Sequence, residues 1–247
     1  FINIMIEIKN ISKTFSQKNI FKDLSLQIYK GDSIAIIGQS GVGKSVLLKH
    51  INGLLSPDSG QVLIDKQNIN KLSFSKKQDI RKKMAMVFQF GALFDSMTIK
   101  ENILLALNNL TVLDKKEKNN KVLEVLDLVN LNNVENLYPS DLSGGMKKRV
   151  GIARAIAIDP EYILYDEPTT GLDPITTDKI NHLIKNITFN KNKTSIIVTH
   201  EMKIVNETVN KVFMLYEGNI IFEGSPEELY SSTDRYIKYF TTGKKEI

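Results

Sequence analysis

The sequence predicts an α/β protein with a mainly parallel sheet, a small antiparallel β-layer at its start and an inserted helical subdomain. Three observations carry that expectation. Residues 4–11 and 21–28 alternate apolar and polar side chains, the pattern of half-buried antiparallel strands. From Ser33 onward, compact apolar runs of strand length alternate with stretches of helical spacing, as in βαβ units. Between about residues 90 and 160 the strand texture disappears and apolar residues recur at helical intervals.

Taken in order, Ile34, Ala35, Ile36 and Ile37 form a buried strand that runs into a Gly-rich turn and then a helix over 45–54. Residues 56–60, with Pro57, Asp58 and Gly60, make a turn. Residues 61–64 and 84–88 read as strands, separated by a Lys-rich helical segment over 74–83. Residues 99–107, 117–128 and 143–158 are the helices of the insert. Strands return at 162–165, 194–199 and 211–216, and the last makes a hairpin with 220–222 across Glu217 and Gly218. A short helical tail follows from Pro226 to Phe240. No repeat and no low-complexity linker interrupts this order.

Composition narrows the function classes. The 247 residues carry 33 Lys+Arg against 28 Asp+Glu, a net charge of +5, and no Cys. Disulfides, thiolate metal sites and Cys nucleophiles are therefore excluded, and a reducing interior is the natural expectation. The apolar runs are too short to span a bilayer, and residues 1–10 lack the pattern of a signal peptide. Residues 1–4, ahead of Met5, read as a non-native extension or the product of a non-standard start. Lys76, Lys77, Arg81, Lys82, Lys83, Lys147, Lys148, Arg149, Lys244 and Lys245 supply much of the basic excess. Most are expected on solvated faces, with attraction to an anionic membrane surface as the functional alternative. Nucleic-acid binding is not expected, because no basic groove interleaved with aromatics is visible.

Chemistry concentrates at Gly38, Gln39, Ser40, Gly41, Val42, Gly43, Lys44 and Ser45, which match G-x-x-x-x-G-K-[ST] between a buried strand and a helix. Glycines let the backbone aim successive N–H groups at a phosphate, Lys44 adds a point charge, and the Ser45 hydroxyl is a Mg²⁺ ligand. The plain alternative is a Gly-rich turn that caps a helix. Asp166 ends a second buried strand, where such chemistry needs a carboxylate to hold Mg²⁺. Glu167 follows it, placed to polarise a water attacking a γ-phosphate. Strand alternation aims the two carboxylates differently; alone, they would equally suit a solvated acidic turn before Pro168. Ser143, Gly144 and Gly145 open another helix and form a second anion site, which implies a second ligand or a second subunit.

With these residues in place, the chain resembles the ATP-binding subunits of ABC transporters from about Met5 to Gly224. The ordered set is the 38–45 loop, Gln89, the signature 142–146, Tyr165-Asp166-Glu167, Gly171-Leu172-Asp173 and His200. The resemblance implies a P-loop NTPase (RecA-like) core with an antiparallel β-subdomain, as one ATPase domain over 5–224. The helical subdomain is inserted at about 90–160, and residues 225–247 form a separate tail.

It also implies roles. ATP with Mg²⁺ would sit between the 38–45 loop of one copy and Ser143, Gly144 and Gly145 of a second copy. Gln89 would reach the metal and the water and link the site to a membrane permease. Glu167 would be the catalytic carboxylate, His200 would contact the γ-phosphate, and Asp173 would communicate across the dimer. Phe15 stands where the family places an aromatic on adenine, although packing in the core is its alternative. His50 and His182 read as structural.

A narrower resemblance, to the lipid-transporting Mla and Mce branch, rests on residues 88–96, Met146 where most relatives carry Gln, and residues 166–175. It implies a phospholipid cargo, a Mce-type lipid-binding partner, and a position at the cytoplasmic face of the inner membrane. Two rivals stand beside it: the same motor serving a small-solute importer, for instance of amino acids, and a soluble ABC ATPase acting on DNA or ribosomes.

Overall fold

A computed structural model describes residues 4–190 and 193–243. Strands β1 (Ile4–Phe15) and β2 (Lys18–Tyr29) form an antiparallel hairpin, with Ile8 opposite Leu26. After β3 (Ser33–Ile37) and α1 (Lys44–Ile51), the chain returns to that hairpin as β4 (Ser59–Ile64) and β5 (Gln67–Asn68). These four strands make one sheet in the order β2-β1-β4-β5. The strand expected at 61–64 therefore completes the β-layer. Val62 and Ile64 pair with Ile8 and Ile6 and bury their side chains with those of β1.

Helix α2 (Phe74–Lys82) leads to β6 (Met84–Val87), and then α3 (Ile99–Leu110), α4 (Lys115–Leu128) and α5 (Gly144–Ile156) pack together. Thr98 and Asp114 begin α3 and α4 as reciprocal capping boxes with Glu101 and Glu117, which fixes where those helices start. The remaining elements are β7 (Tyr162–Asp166), α6 (Pro174–Asn190), β8 (Thr194–Val198), α7 (Met202–Thr208), β9 (Lys211–Tyr216), β10 (Asn219–Gly224), α8 (Pro226–Ser231) and α9 (Arg235–Thr242). The second sheet runs β10-β9-β3-β8-β7-β6, parallel except for the β9–β10 hairpin.

Both faces of this sheet are covered, which explains the unbroken apolar runs of its strands. Ile34 and Ile36 join the core beneath the β-layer, whereas Ala35 and Ile37 join the core beneath the helices. Strand ends therefore emerge along the seam between two packed cores.

Several basic residues expected in solvent are structural. Arg81 donates to the carbonyls of Asn52 (3.2 Å) and Gly53 (2.8 Å), at the open end of α1. Arg149 donates to those of Val129 (3.2 Å) and Asn130 (2.9 Å), at the end of α4. Helix C-termini leave carbonyls without partners and carry partial negative charge, so a cation there is held. Lys83 bridges Asp65 and Glu161, and Lys148 is buried. Residues 1–3, Lys244 and Lys245 lie outside the described residues.

Candidate functional site: a phosphate loop facing two strand-end carboxylates

β3 ends at Ile37, and in the loop that follows two positions, Gly38 and Gly43, have no room for a side chain. Gly38 has φ 148°, and a Cβ there would lie 2.4 Å from the Leu215 carbonyl oxygen. Gly43 has φ 113°, with the Ile20 side chain 2.7 Å from where its Cβ would be. The loop is thus wound tightly against β9 on one side and β2 on the other, with its N–H groups at the start of α1. Lys44 folds back: its Nζ donates to the carbonyls of Gly38 (2.7 Å) and Gln39 (3.1 Å) and lies 3.7 Å from Glu167 Oε1. Burial lowers the pKa of this ammonium, and the Glu167 charge opposes that shift.

Ser45 and Asp166 meet across the seam, with Ser45 Oγ donating to Asp166 Oδ1 at 2.7 Å. Two oxygens on adjacent positions of an octahedral Mg²⁺ stand about 3 Å apart, so this pair fits that ion. No group of three or more acidic or His side chains among the described residues forms a metal cage. Burial raises the Asp166 pKa; the Ser45 hydrogen bond works against the shift and the neighbouring Glu167 charge adds to it.

Glu167 does not continue the strand. Its N–H still donates to the Val198 carbonyl at 2.9 Å, but its φ is 49°, the left-handed region that costs a non-glycine residue roughly 1–3 kcal/mol. That twist separates its carboxylate from Asp166 and turns it toward the loop. Glu167 Oε2 then lies 2.9 Å from His200 Nδ1 and accepts from the Thr170 hydroxyl at 3.0 Å. Ser40, Gly41, Gly43, Lys44, Ser45, Gln89, Glu167, Thr170 and His200, with Ile20 and Val46, line one cleft of about 320 Å³.

The structure therefore brings together Lys44, Ser45, Gln89, Asp166, Glu167 and His200. Gly38 and Gln39 are in the loop beside the cleft, while Val42 faces an adjoining hollow lined by Lys18, Lys22 and Tyr216. Phe15 lies apart from the cleft lining: it ends β1, 41% exposed, with Lys13 Nζ 5.2 Å from its ring centre. Ser143, Gly144 and Gly145 are also absent from the lining. Ser143 caps α5 by accepting from the Met146 N–H (3.3 Å), and it and Gly144 are exposed. Gly145 packs so closely on α6 that a Cβ would fall 2.6 Å from a Thr176 methyl.

Two contributors were not singled out from the sequence. Thr170 falls within the 166–175 motif without standing out, although a hydroxyl three residues after Glu167 on a left-handed turn is within reach of it. Lys148 stands in a basic run that masks it, although Gly151, Ile152 and Ala155, three, four and seven residues on, place it on the buried face of α5.

The chain matches the ABC transporter family over residues 21–170. The intermembrane phospholipid transport system ATP-binding protein MlaF of Haemophilus influenzae is 39% identical over 242 residues, covering 98% of this chain and 92% of the relative. The methionine import ATP-binding protein MetN 1 of Enterococcus faecalis is 45% identical over 233 residues, 92% of this chain and 65% of the relative. Among solved structures, the dimeric ATP-binding cassette MJ0796 in a post-hydrolysis state with ADP and Pi superposes with a TM-score of 0.84. It is 33% identical and covers 90% of this chain and 99% of that one. The loop closed to side chains at Gly38 and Gly43, the Ser45–Asp166 pair and the family match agree: the chain belongs to the ABC transporter family, as an ATP-binding subunit with a P-loop ATPase fold that hydrolyses ATP.

Proposed function

We propose that two copies of this chain close on two ATP molecules and drive a separate membrane permease, and that the cargo is phospholipid. Support for the shared site comes from the anion-binding end of α5, which is exposed and stands outside its own chain's cleft. A second copy is the natural bearer of the phosphate that it covers. The related cassette MJ0796 is a dimer in the solved structure with ADP and Pi.

Mg²⁺ bound by Ser45 and Asp166 would neutralise phosphate charge and fix the geometry of the transferring group. Lys44 and the loop N–H groups hold the phosphates. Glu167 takes the proton of the attacking water at Oε1, which stands 3.7 Å from Lys44 Nζ, since Oε2 accepts from Thr170 and lies against His200. His200, with Nδ1 beside Glu167, would contact a γ-phosphate oxygen through Nε2. Gln89, which lines the same cleft, would reach the metal and the water, Asp173 would signal across the dimer, and Phe15 would stack on adenine.

Residues 5–224 act as one ATPase domain with the helical insert at about 90–160, and residues 225–247 are a tail. Phe88, Phe90 and Phe94 flank Gln89 and are exposed, 80% in the case of Phe90. That apolar patch is the surface offered to the permease. No helix among the described residues is long and apolar enough to cross a membrane, so attachment at the cytoplasmic face of the inner membrane would run through that partner.

The observation that carries the lipid reading is the match to MlaF over 98% of this chain and 92% of the relative. A Mce-type lipid-binding protein would then be a further partner. The second reading, a small-solute importer, is favoured by the 45% identity to MetN 1. Purifying the complex from membranes and analysing what travels with the permease decides between them. Bound phospholipid and a Mce-type protein support the first, and a soluble amino-acid receptor overturns it.

A further inference from the structure

Lys148 sits in the first turns of α5, five residues after Ser143, and is only 6% exposed. Its Nζ donates to the Thr170 carbonyl at 2.5 Å. Thr170 is the residue whose hydroxyl holds Glu167 Oε2 at 3.0 Å, and the adjacent Thr169 hydroxyl donates to Glu201 Oε2 at 2.9 Å. Lys148 therefore crosses from the helical subdomain to the loop that positions the water-activating carboxylate. The N-terminus of the same helix, one turn before Lys148, presents Ser143 and Gly144 outward.

α5 is well suited to carry displacement as a unit. Gly151 lies against Gly91, where a Cβ would be 3.0 Å from the Gly91 Cα, and Arg154 donates to the carbonyls of Gly91 (3.0 Å) and Ala92 (2.8 Å). The helix is thus tied to the segment just after Gln89 and, by Lys148, to the segment just after Glu167. A buried cation costs more to keep than an apolar side chain of similar size. Stability alone does not account for a lysine there.

We propose that Lys148 is a positioning residue that links the two composite sites of the dimer: it passes the seating of Ser143 on the partner-held nucleotide to Glu167 of its own chain. This rests on the shared-site reading above. Charge on Lys148 is not what matters most; the fixed Nζ–carbonyl link sets the Thr170 backbone, and Thr170 sets Glu167. A shift of about 1 Å in a reacting group can cost on the order of 100-fold in rate.

The test uses the full chain with its permease. Lys148→Met is expected to lower kcat for ATP about tenfold or more, with KM changed less than about threefold and with an unchanged or raised melting temperature. Lys148→Arg should restore part of the rate. Lys148→Met combined with Thr170→Ala should lose no more than the worse single variant, since both act through one carboxylate.

Mixed dimers show the direction. With Glu167→Gln in one copy, Lys148→Met should slow turnover when placed in the copy that keeps Glu167 and have no effect when placed in the other. An unchanged kcat in Lys148→Met, additive losses in the double variant, or a loss that follows the other copy overturns the proposal. Failure of the shared-site reading shows separately, as the absence of an ATP-trapped dimer in Glu167→Gln alone.

Discussion

His200 Nδ1 and Glu167 Oε2 stand 2.9 Å apart, and the Thr170 hydroxyl reaches the same oxygen at 3.0 Å. The Thr170 hydrogen bond and the adjacent imidazole hold one carboxylate oxygen, and the other, 3.7 Å from Lys44 Nζ, faces the loop. Glu167→Gln keeps the shape and removes the base. ATP binding should persist while turnover falls about 10²- to 10⁴-fold, and a dimer should accumulate with ATP, measurable by phosphate release and light scattering. Undiminished turnover in that variant takes Glu167 out of the reaction.

Lys44 is proposed to act earlier, at binding. Its ammonium is held at the mouth of the loop by the Gly38 and Gln39 carbonyls, positioned as a fixed charge for phosphate. Lys44→Ala should weaken nucleotide binding itself, read by titration with a fluorescent ATP analogue. Equal affinity in the variant and the unchanged chain would mean that the loop N–H groups suffice.

Ser143 divides binding from turnover. Ser143→Phe removes the cap of α5, at a cost of about 1 kcal/mol of stability, and places a ring where the partner's phosphate would lie. Each chain should still bind ATP, because Ser143 is outside its own cleft, but hydrolysis and ATP-dependent dimerisation should both disappear. Retention of hydrolysis would argue that one chain completes its site alone.

His50 makes stability sensitive to acid. It is fully buried in α1, and its Nδ1 lies 2.8 Å from the Val46 carbonyl. Burial lowers its pKa below the ordinary 6.5, the Val46 bond opposes that shift, and Lys13 adds to it. The folded chain therefore holds the neutral ring while the unfolded chain takes a proton below about pH 6.5, so the contribution is present above that pH and lost as pH falls. Urea midpoints should drop between pH 7 and pH 5.5, and His50→Gln should flatten that slope. Parallel slopes for both chains would assign the acid sensitivity to other groups.

Tyr165 carries a hydroxyl with no partner among the described residues, in a side chain with no exposure. An unmade hydrogen bond at a buried group costs about 1–3 kcal/mol. Tyr165→Phe should raise the melting temperature and leave ATP turnover unchanged. A lower melting temperature would show that the hydroxyl is satisfied in solution, for instance by water.

The parts legible in the sequence are those written in local periodicity or fixed spacing. The compact run at 34–37, the loop glycines and the strand-end pair Asp166 and Glu167 each announce their conformation within a few residues. Pairings decided by distant partners are not legible in this way. The run at 61–64 has the texture of any short strand, and only the hairpin already built by β1 and β2 draws it into the antiparallel layer. Helices α6 and α7 contribute less conspicuous patterns than the strands they separate. Lys148 is a mixed case: a run of three cations reads as solvated, while the spacing to Gly151, Ile152 and Ala155 puts it on the buried face, and only the loop at Thr170 supplies its partner. Phe15 shows the converse, an aromatic whose motif position is clear and whose cleft contact is not present in the single chain.

The strand order also bears on how the protein is made. β3 leaves the ribosome early, but its neighbours are β8 on one side and β9 on the other, near the opposite end of the chain. A central strand of Ile34, Ala35, Ile36 and Ile37 must therefore wait unpaired during synthesis until most of the polypeptide has emerged. Pairings this remote fold slowly, and the waiting apolar edge is open to association with other nascent chains. The β1–β2 hairpin and the helices of the insert can form meanwhile from local contacts. Yield in a cell should accordingly depend on chaperone supply and growth temperature more than the stability of the finished molecule would imply.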